Sequence, residues 1–120
     1  MSLPPHMRRA QHKIGSAGRR SEKRLEKDFG VKGRPASGAM EGAKGDIDLG
    51  AVLMEAKSTT QESLALKLAW LLKIAHEARS EGKSPALSVS FINEDGKPLL
   101  DGEWCLIPMH RFKELITWWA

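Results

Sequence analysis

Gly45-Asp46-Ile47-Asp48-Leu49-Gly50-Ala51-Val52-Leu53-Met54-Glu55-Ala56-Lys57-Ser58 decides how the chain folds. Two arms with alternating apolar residues flank Gly50-Ala51, the pattern of a β-hairpin closed by a two-residue turn. In that register Leu49 faces Val52, Asp48 faces Leu53, Ile47 faces Met54 and Asp46 faces Glu55. Opposed residues share a face, and successive residues alternate between faces. Ile47, Leu49, Val52 and Met54 therefore make an apolar face. Asp46, Asp48, Glu55 and Lys57 point to the other.

Charge on that second face needs a reason. Removing two carboxylates and an ammonium from water costs roughly several kcal/mol unless they pair or hold a metal. Asp46 and Glu55, directly opposed at about 5 Å, repel each other unless a cation lies between them. Oxygen donors alone favour a hard ion such as Mg²⁺. Lys57, two residues after Glu55, can act on whatever that ion holds. Asp48 shares the face and rivals Asp46, which the register favours.

The 120 residues amount to one domain, and 41% hydrophobic content makes it globular. No stretch approaches the roughly 18 apolar residues of a membrane span, and no secretion signal is visible. One cysteine, Cys105, excludes an internal disulfide and suits a reducing compartment, so a cytoplasmic location is expected. The four histidines are scattered, and no Cys/His set has zinc spacing. Net charge is +4, unevenly spread: residues 1–32 hold nine Lys/Arg against three Asp/Glu. A basic arm on a near-neutral body points to a polyanion, and DNA is the expected partner of Arg8, Arg9, Lys13, Arg19 and Arg20.

Residues 1–17 read as a flexible basic arm, interrupted by Pro4-Pro5 and Gly15. A short helix is expected over residues 21–29, with Ser21 as N-cap and Leu25 and Phe29 on one side. Glu22 falls in its first turn and Glu26 one turn later. A strand is expected over 31–34. Thr59 and Glu62 read as a capping box that opens a long helix to Ser80. Its apolar stripe is Leu64, Leu68, Leu71, Leu72 and Ala75. Strands are expected over 87–91 and 103–107, with a turn at 93–98 between them. The closing helix, 109–120, carries Phe112, Leu115, Ile116 and Trp119. Trp118 and Trp119 would either cap the core or make a subunit contact. The order is α-β-β-β-α-β-β-α, an α/β fold with a mixed sheet.

An Asp before a hairpin, then Glu55-Ala56-Lys57 at the end of its second strand, resembles the PD-(D/E)xK nuclease superfamily. Gly18-Arg19-Arg20-Ser21-Glu22-Lys23-Arg24-Leu25, Arg34-Pro35-Ala36-Ser37-Gly38 and Glu55-Ala56-Lys57-Ser58 resemble archaeal-type Holliday-junction resolvases, over roughly residues 18–91. The resemblance implies a restriction-endonuclease-like fold: an α-β-β-β-α-β core with an extra strand and a C-terminal helix, as one domain over 18–120. It implies Mg²⁺ (or Mn²⁺) on Asp46, Glu55 and the Ala56 carbonyl, with Lys57 acting on the water or phosphate. Glu22 would complete the metal site, with Glu26 as its alternative, and Ser37 would bond a phosphate oxygen. Arg34 and Lys44 join the expected DNA contacts. The implied activity is endonucleolytic cutting of branched DNA by a homodimer. A duplex- or end-cutting relative and an inactive DNA-binding module are the alternatives.

Overall fold

The computed structural model describes the backbone of residues 5–33 and 46–119, and the side chains of residues 15–33 and 46–119. Helix α1 (Pro5–Phe29) is followed by strands β1 (Ile47–Asp48) and β2 (Val52–Thr59) and helix α2 (Leu68–Ser80). Strands β3 (Ser84–Ile92) and β4 (Pro98–Leu106) and helix α3 (Met109–Trp119) complete the chain. The strands form one mixed sheet in the order β1-β2-β3-β4. β1 and β2 are antiparallel, β2 and β3 parallel, and β3 and β4 antiparallel. The fold is α/β, as the sequence leads one to expect.

The hairpin register is the expected one: Ile47 pairs with Met54 and Asp48 with Leu53. Its two faces bury against different helices. Ile47 and Met54 pack with Leu25 of α1 and Ala86 of β3, flanked by Leu49, Val52 and Ala56. On the opposite face Leu53 packs with Ile74 and Ala78 of α2. Helix α2 links two parallel strands, as such a crossover requires. Central β3 is buried on both sides from Ala86 to Ser90, the mark of a strand covered by helices on both faces.

Several boundaries differ from expectation. The helix expected over 21–29 is continuous back to Pro5, and Gly15 and Gly18 lie inside it. Gly18 and Ala17 are buried, and the β3–β4 turn lies against the helix at Ala17 and Ser21. Residues 31–33 are irregular rather than a strand, while residue 34, the rest of that expected strand, lies outside the described residues. Strand β2 runs on to Thr59, so the expected capping box does not form. Thr59 Oγ1 instead accepts the Gln61 N–H at 3.0 Å. Helix α2 begins only at Leu68, leaving Leu64 outside it, and it buries Ile74 and Ala78 rather than the expected stripe. Leu68 and Leu72 are exposed. Helix α3 forms where expected, but none of its residues is buried.

The β3–β4 turn forms as expected. Asn93 Oδ1 accepts the N–H groups of Asp95 and Lys97, the local bonding that makes asparagine a turn former. Gly96 sits there with φ +83°, and a Cβ would come within 2.7 Å of the Ala17 carbonyl oxygen and 2.9 Å of the Ser21 nitrogen. Backbone cannot retreat as a flexible side chain can. Gly96→Ala is therefore expected to cost about 1–3 kcal/mol, from strain at positive φ and from the displaced helix. Urea denaturation checks this; a loss below about 0.5 kcal/mol, the scale of a neutral surface substitution, would contradict the close approach.

Candidate functional site

The α2-side face of the hairpin carries the charged residues. Asp46 lies one residue before β1 and therefore opposite Glu55. The Glu55 side chain is 14% exposed, and its Oε1 lies 3.2 Å from Lys57 Nζ. Its Oε2 is buried with no hydrogen-bond partner. Lys57 Nζ lies 4.5 Å from the centre of the Trp70 ring on α2, where the ring's negative face favours a cation. Lys67 approaches the same ring at 5.9 Å. The indole and Glu55 together hold the ammonium over the sheet.

Helix α2 adds residues that the sequence did not single out. Glu77 shares a hydrogen bond with Asp46, and Lys73 lies near both, 3.9 Å from Glu77. Burial, above all, raises the Asp46 carboxyl from 3.8 to about 7. The hydrogen bond to Glu77 and repulsion from Glu77 and then Glu55 push the same way, while Lys73 opposes them. Like charges crowded at one place are what a bound cation relieves.

This shift has a consequence for stability. The folded carboxyl keeps its proton up to about pH 7, whereas the unfolded one releases it near 3.8. Between those values the folded chain binds more protons, so stability falls as pH rises and levels off above 7. Asp46→Asn is expected to remove that fall, and Mg²⁺ at neutral pH to offset it in the wild type. Thermal midpoints from pH 4 to 8 check this as the difference between the two proteins, because the low-lying Glu103 tilts both curves the other way. Parallel curves would exclude it.

The rival carboxylate, Asp48, has other duties. Its Oδ1 accepts the Gly50 N–H at 2.9 Å, closing the turn, and lies 2.5 Å from Lys83 Nζ. The structure thus brings Asp46, Glu55 and Lys57 together and ties Asp48 to the turn. Ala56 lies between Glu55 and Lys57 on β2, past the end of β1.

Glu22 is not brought to this group. It is half-buried on α1, the helix that packs on the sheet's other face. Glu26 is likewise on α1, and its carboxylate lies against Gly33. Arg19 and Arg20 are exposed, and Arg20 Nη1 donates to the Glu94 carbonyl at 3.4 Å. The backbone of Arg8, Arg9 and Lys13 is part of α1, but their side chains, and the whole of Arg34, Ser37 and Lys44, lie outside the described residues.

A second polar group lies under α1. Arg24 pairs with Glu103 of β4, and Ser90 Oγ donates to Glu103 at 2.8 Å. Burial raises the Glu103 carboxyl, but the bonds from Arg24 and Ser90 and the Arg24 charge outweigh it and hold the group below its ordinary value. This group anchors α1 to the sheet.

Among the described residues no three His, Cys, Asp or Glu side chains are grouped to hold a metal ion by themselves. Two carboxylates still fit Mg²⁺, which commonly takes one or two from the protein and fills its shell with water and substrate phosphate. The unpartnered Glu55 Oε2 and the crowding of Asp46 suit that role. Among the described residues no helix is long and apolar enough to cross a membrane. Compared with models of protein families, with curated proteins and with solved structures, the chain matches none.

Proposed function

We propose that the chain is a metal-dependent DNA endonuclease that hydrolyses phosphodiester bonds in branched DNA, four-way junctions above all, as a homodimer. The observation that carries the reading is the hairpin register. It sets Asp46 opposite Glu55 with Lys57 one pleat further on, and leaves a Glu55 oxygen buried without a partner. Asp46, Glu55 and the Ala56 carbonyl would hold Mg²⁺ or Mn²⁺. When bound, the ion supplies positive charge to the scissile phosphate and makes its water more acidic. Lys57 orients that water and offsets charge on the phosphate oxygens. Its ion pair with Glu55 and its place over Trp70 hold the Lys57 amine in position above the sheet.

The basic residues of α1, Arg8, Arg9, Lys13, Arg19 and Arg20 among them, would contact the DNA backbone and gain affinity by releasing its counterions. Arg34, Ser37 and Lys44 belong to the same reading through the family resemblance. Two symmetric cuts at a junction call for two sites related by a twofold axis.

The test is cleavage of a panel of branched and linear DNAs with and without Mg²⁺, run beside Glu55→Ala. Metal-dependent cutting of junctions by the wild type, lost in the variant, is the expected result. Equal cutting of linear duplex and junction would move the substrate to duplex DNA. Absence of cutting on every DNA, or its persistence in Glu55→Ala, would sink the reading.

A further inference from the structure

Helix α3 and the groove beside it are apolar surfaces that the single chain leaves largely uncovered; Leu115 and Trp118 of α3 border a shallow cleft with Val52 and Pro85 of the same chain and stay exposed there. Every residue of α3 is exposed; Trp118 is 85% and Trp119 74% accessible. Phe112 and Trp119 touch edge to face and leave their outer surfaces open. With Met109, Leu115 and Ile116, these residues present on the order of 500–900 Å² of surface, taking full-size residues of about 150–250 Å². A standard stable interface buries about 800 Å² on each partner.

The receiving surface lies between α2 and the sheet. A groove of about 280 Å³ is lined almost wholly by apolar side chains, including Leu71, Leu72, Ala75, Leu87, Leu106 and Pro108. Leu72 is 60% exposed at its rim. Helix α2 thus has a wide apolar stripe: Ile74 and Ala78 pack on Leu53 at one edge, and Leu71, Leu72 and Ala75, with Ile74 again, line the groove beside it.

The chain's own α3 is poorly placed to fill this groove. It starts two residues after β4 ends, and those residues, Ile107 and Pro108, are themselves part of the groove wall. The Pro108 carbonyl accepts the N–H groups of Arg111 and Phe112, which fixes the direction of the first turn. Too little chain remains for the helix to reverse. The open edge of β4 is no better a contact. It begins at Pro98, and it carries Asp101 at φ 57° and a break in its ladder to β3, irregularities that discourage strand-to-strand pairing.

We infer that α3 of one chain docks in the α2–sheet groove of a second copy, and reciprocally, forming a twofold dimer. Such an interface is isologous: α3 meets the partner's groove while its own groove receives the partner's α3. The inference supplies the surface for the dimer in the nuclease reading, yet it rests on α3 and the groove alone.

Sedimentation velocity, run without DNA or metal, reads it independently of any activity. Wild type is expected at twice the mass of one chain. Leu115→Glu with Trp118→Glu, and separately Leu72→Glu, are expected to halve that mass with unchanged circular dichroism, since these side chains are exposed in the single chain. Leu72→Cys with Leu115→Cys, in a Cys105→Ser background, is expected to give a disulfide-linked dimer on oxidation. A wild type that stays monomeric, a dimer that survives both charge variants, or a disulfide formed within one chain would each overturn the inference.

Discussion

Glu55→Gln is expected to lower metal-dependent DNA cleavage by about a thousandfold or more, while leaving the protein at least as stable as the wild type. The substitution preserves shape and removes one negative charge. Glu55 raises the Asp46 carboxyl, so its neutralisation lets Asp46 ionise more easily. The buried Oε2 that has no partner also ceases to be a carboxylate oxygen. Loss of activity without loss of stability marks a group kept for function at some cost to the fold. Lys57→Ala is expected to lose about 10²–10⁴-fold, and Lys57→Arg to recover little, because a planar fork cannot replace a point charge beside Glu55. Single-turnover cleavage with Mg²⁺, paired with urea denaturation, checks both halves. Activity within tenfold of wild type, or a Glu55→Gln protein clearly less stable, would contradict the account.

The residues that the sequence reveals and those it hides differ in what places them. The hairpin register follows from local pattern: an alternating arm on each side of Gly50-Ala51 admits one pairing, and Ile47 indeed meets Met54. Its two faces follow too, since side-chain alternation is a property of the strand itself. The end of β2 depends on a distant partner. Thr59 pairs with Phe91 of β3, and that ladder outweighs the helix start that Thr59 and Glu62 would otherwise make. Glu77 and Lys73 read as an ordinary surface pair one helical turn apart. Only the passage of α2 across β2 sets Glu77 beside Asp46, and no window of sequence contains that crossing. The Arg24–Glu103 pair spans 79 residues and is equally invisible. Helix α2 shows a different limit: its apolar stripe is wide, and periodicity cannot say which edge of it meets the sheet.

Leu53→Ala is expected to cost about 2–5 kcal/mol, a large share of the roughly 5–15 kcal/mol that holds a domain together. Leu53 is fully buried and shares a small cluster with Ile74 and Ala78, so few neighbours can close the cavity. Leu53→Met keeps the volume and is expected to cost less than about 1.5 kcal/mol. The position matters beyond stability because Leu53 lies on the same face as Glu55 and Lys57. It fixes the distance between β2 and α2, and α2 brings Trp70, Lys73 and Glu77 to the charged group. Leu53→Ala should therefore weaken cleavage as well, through a site that is loosened rather than dismantled. Its ligands remain, so saturating Mg²⁺ restores part of the loss by mass action, up to about 2.7 kcal/mol at a hundred times the dissociation constant. The same Mg²⁺ cannot restore Glu55→Gln, which keeps its fold and lacks the charge. Urea midpoints and cleavage rates, each measured across a Mg²⁺ series, separate the two. If excess Mg²⁺ left Leu53→Ala no more stable, Asp46 and Glu55 would be a buried charged pair and not a metal site.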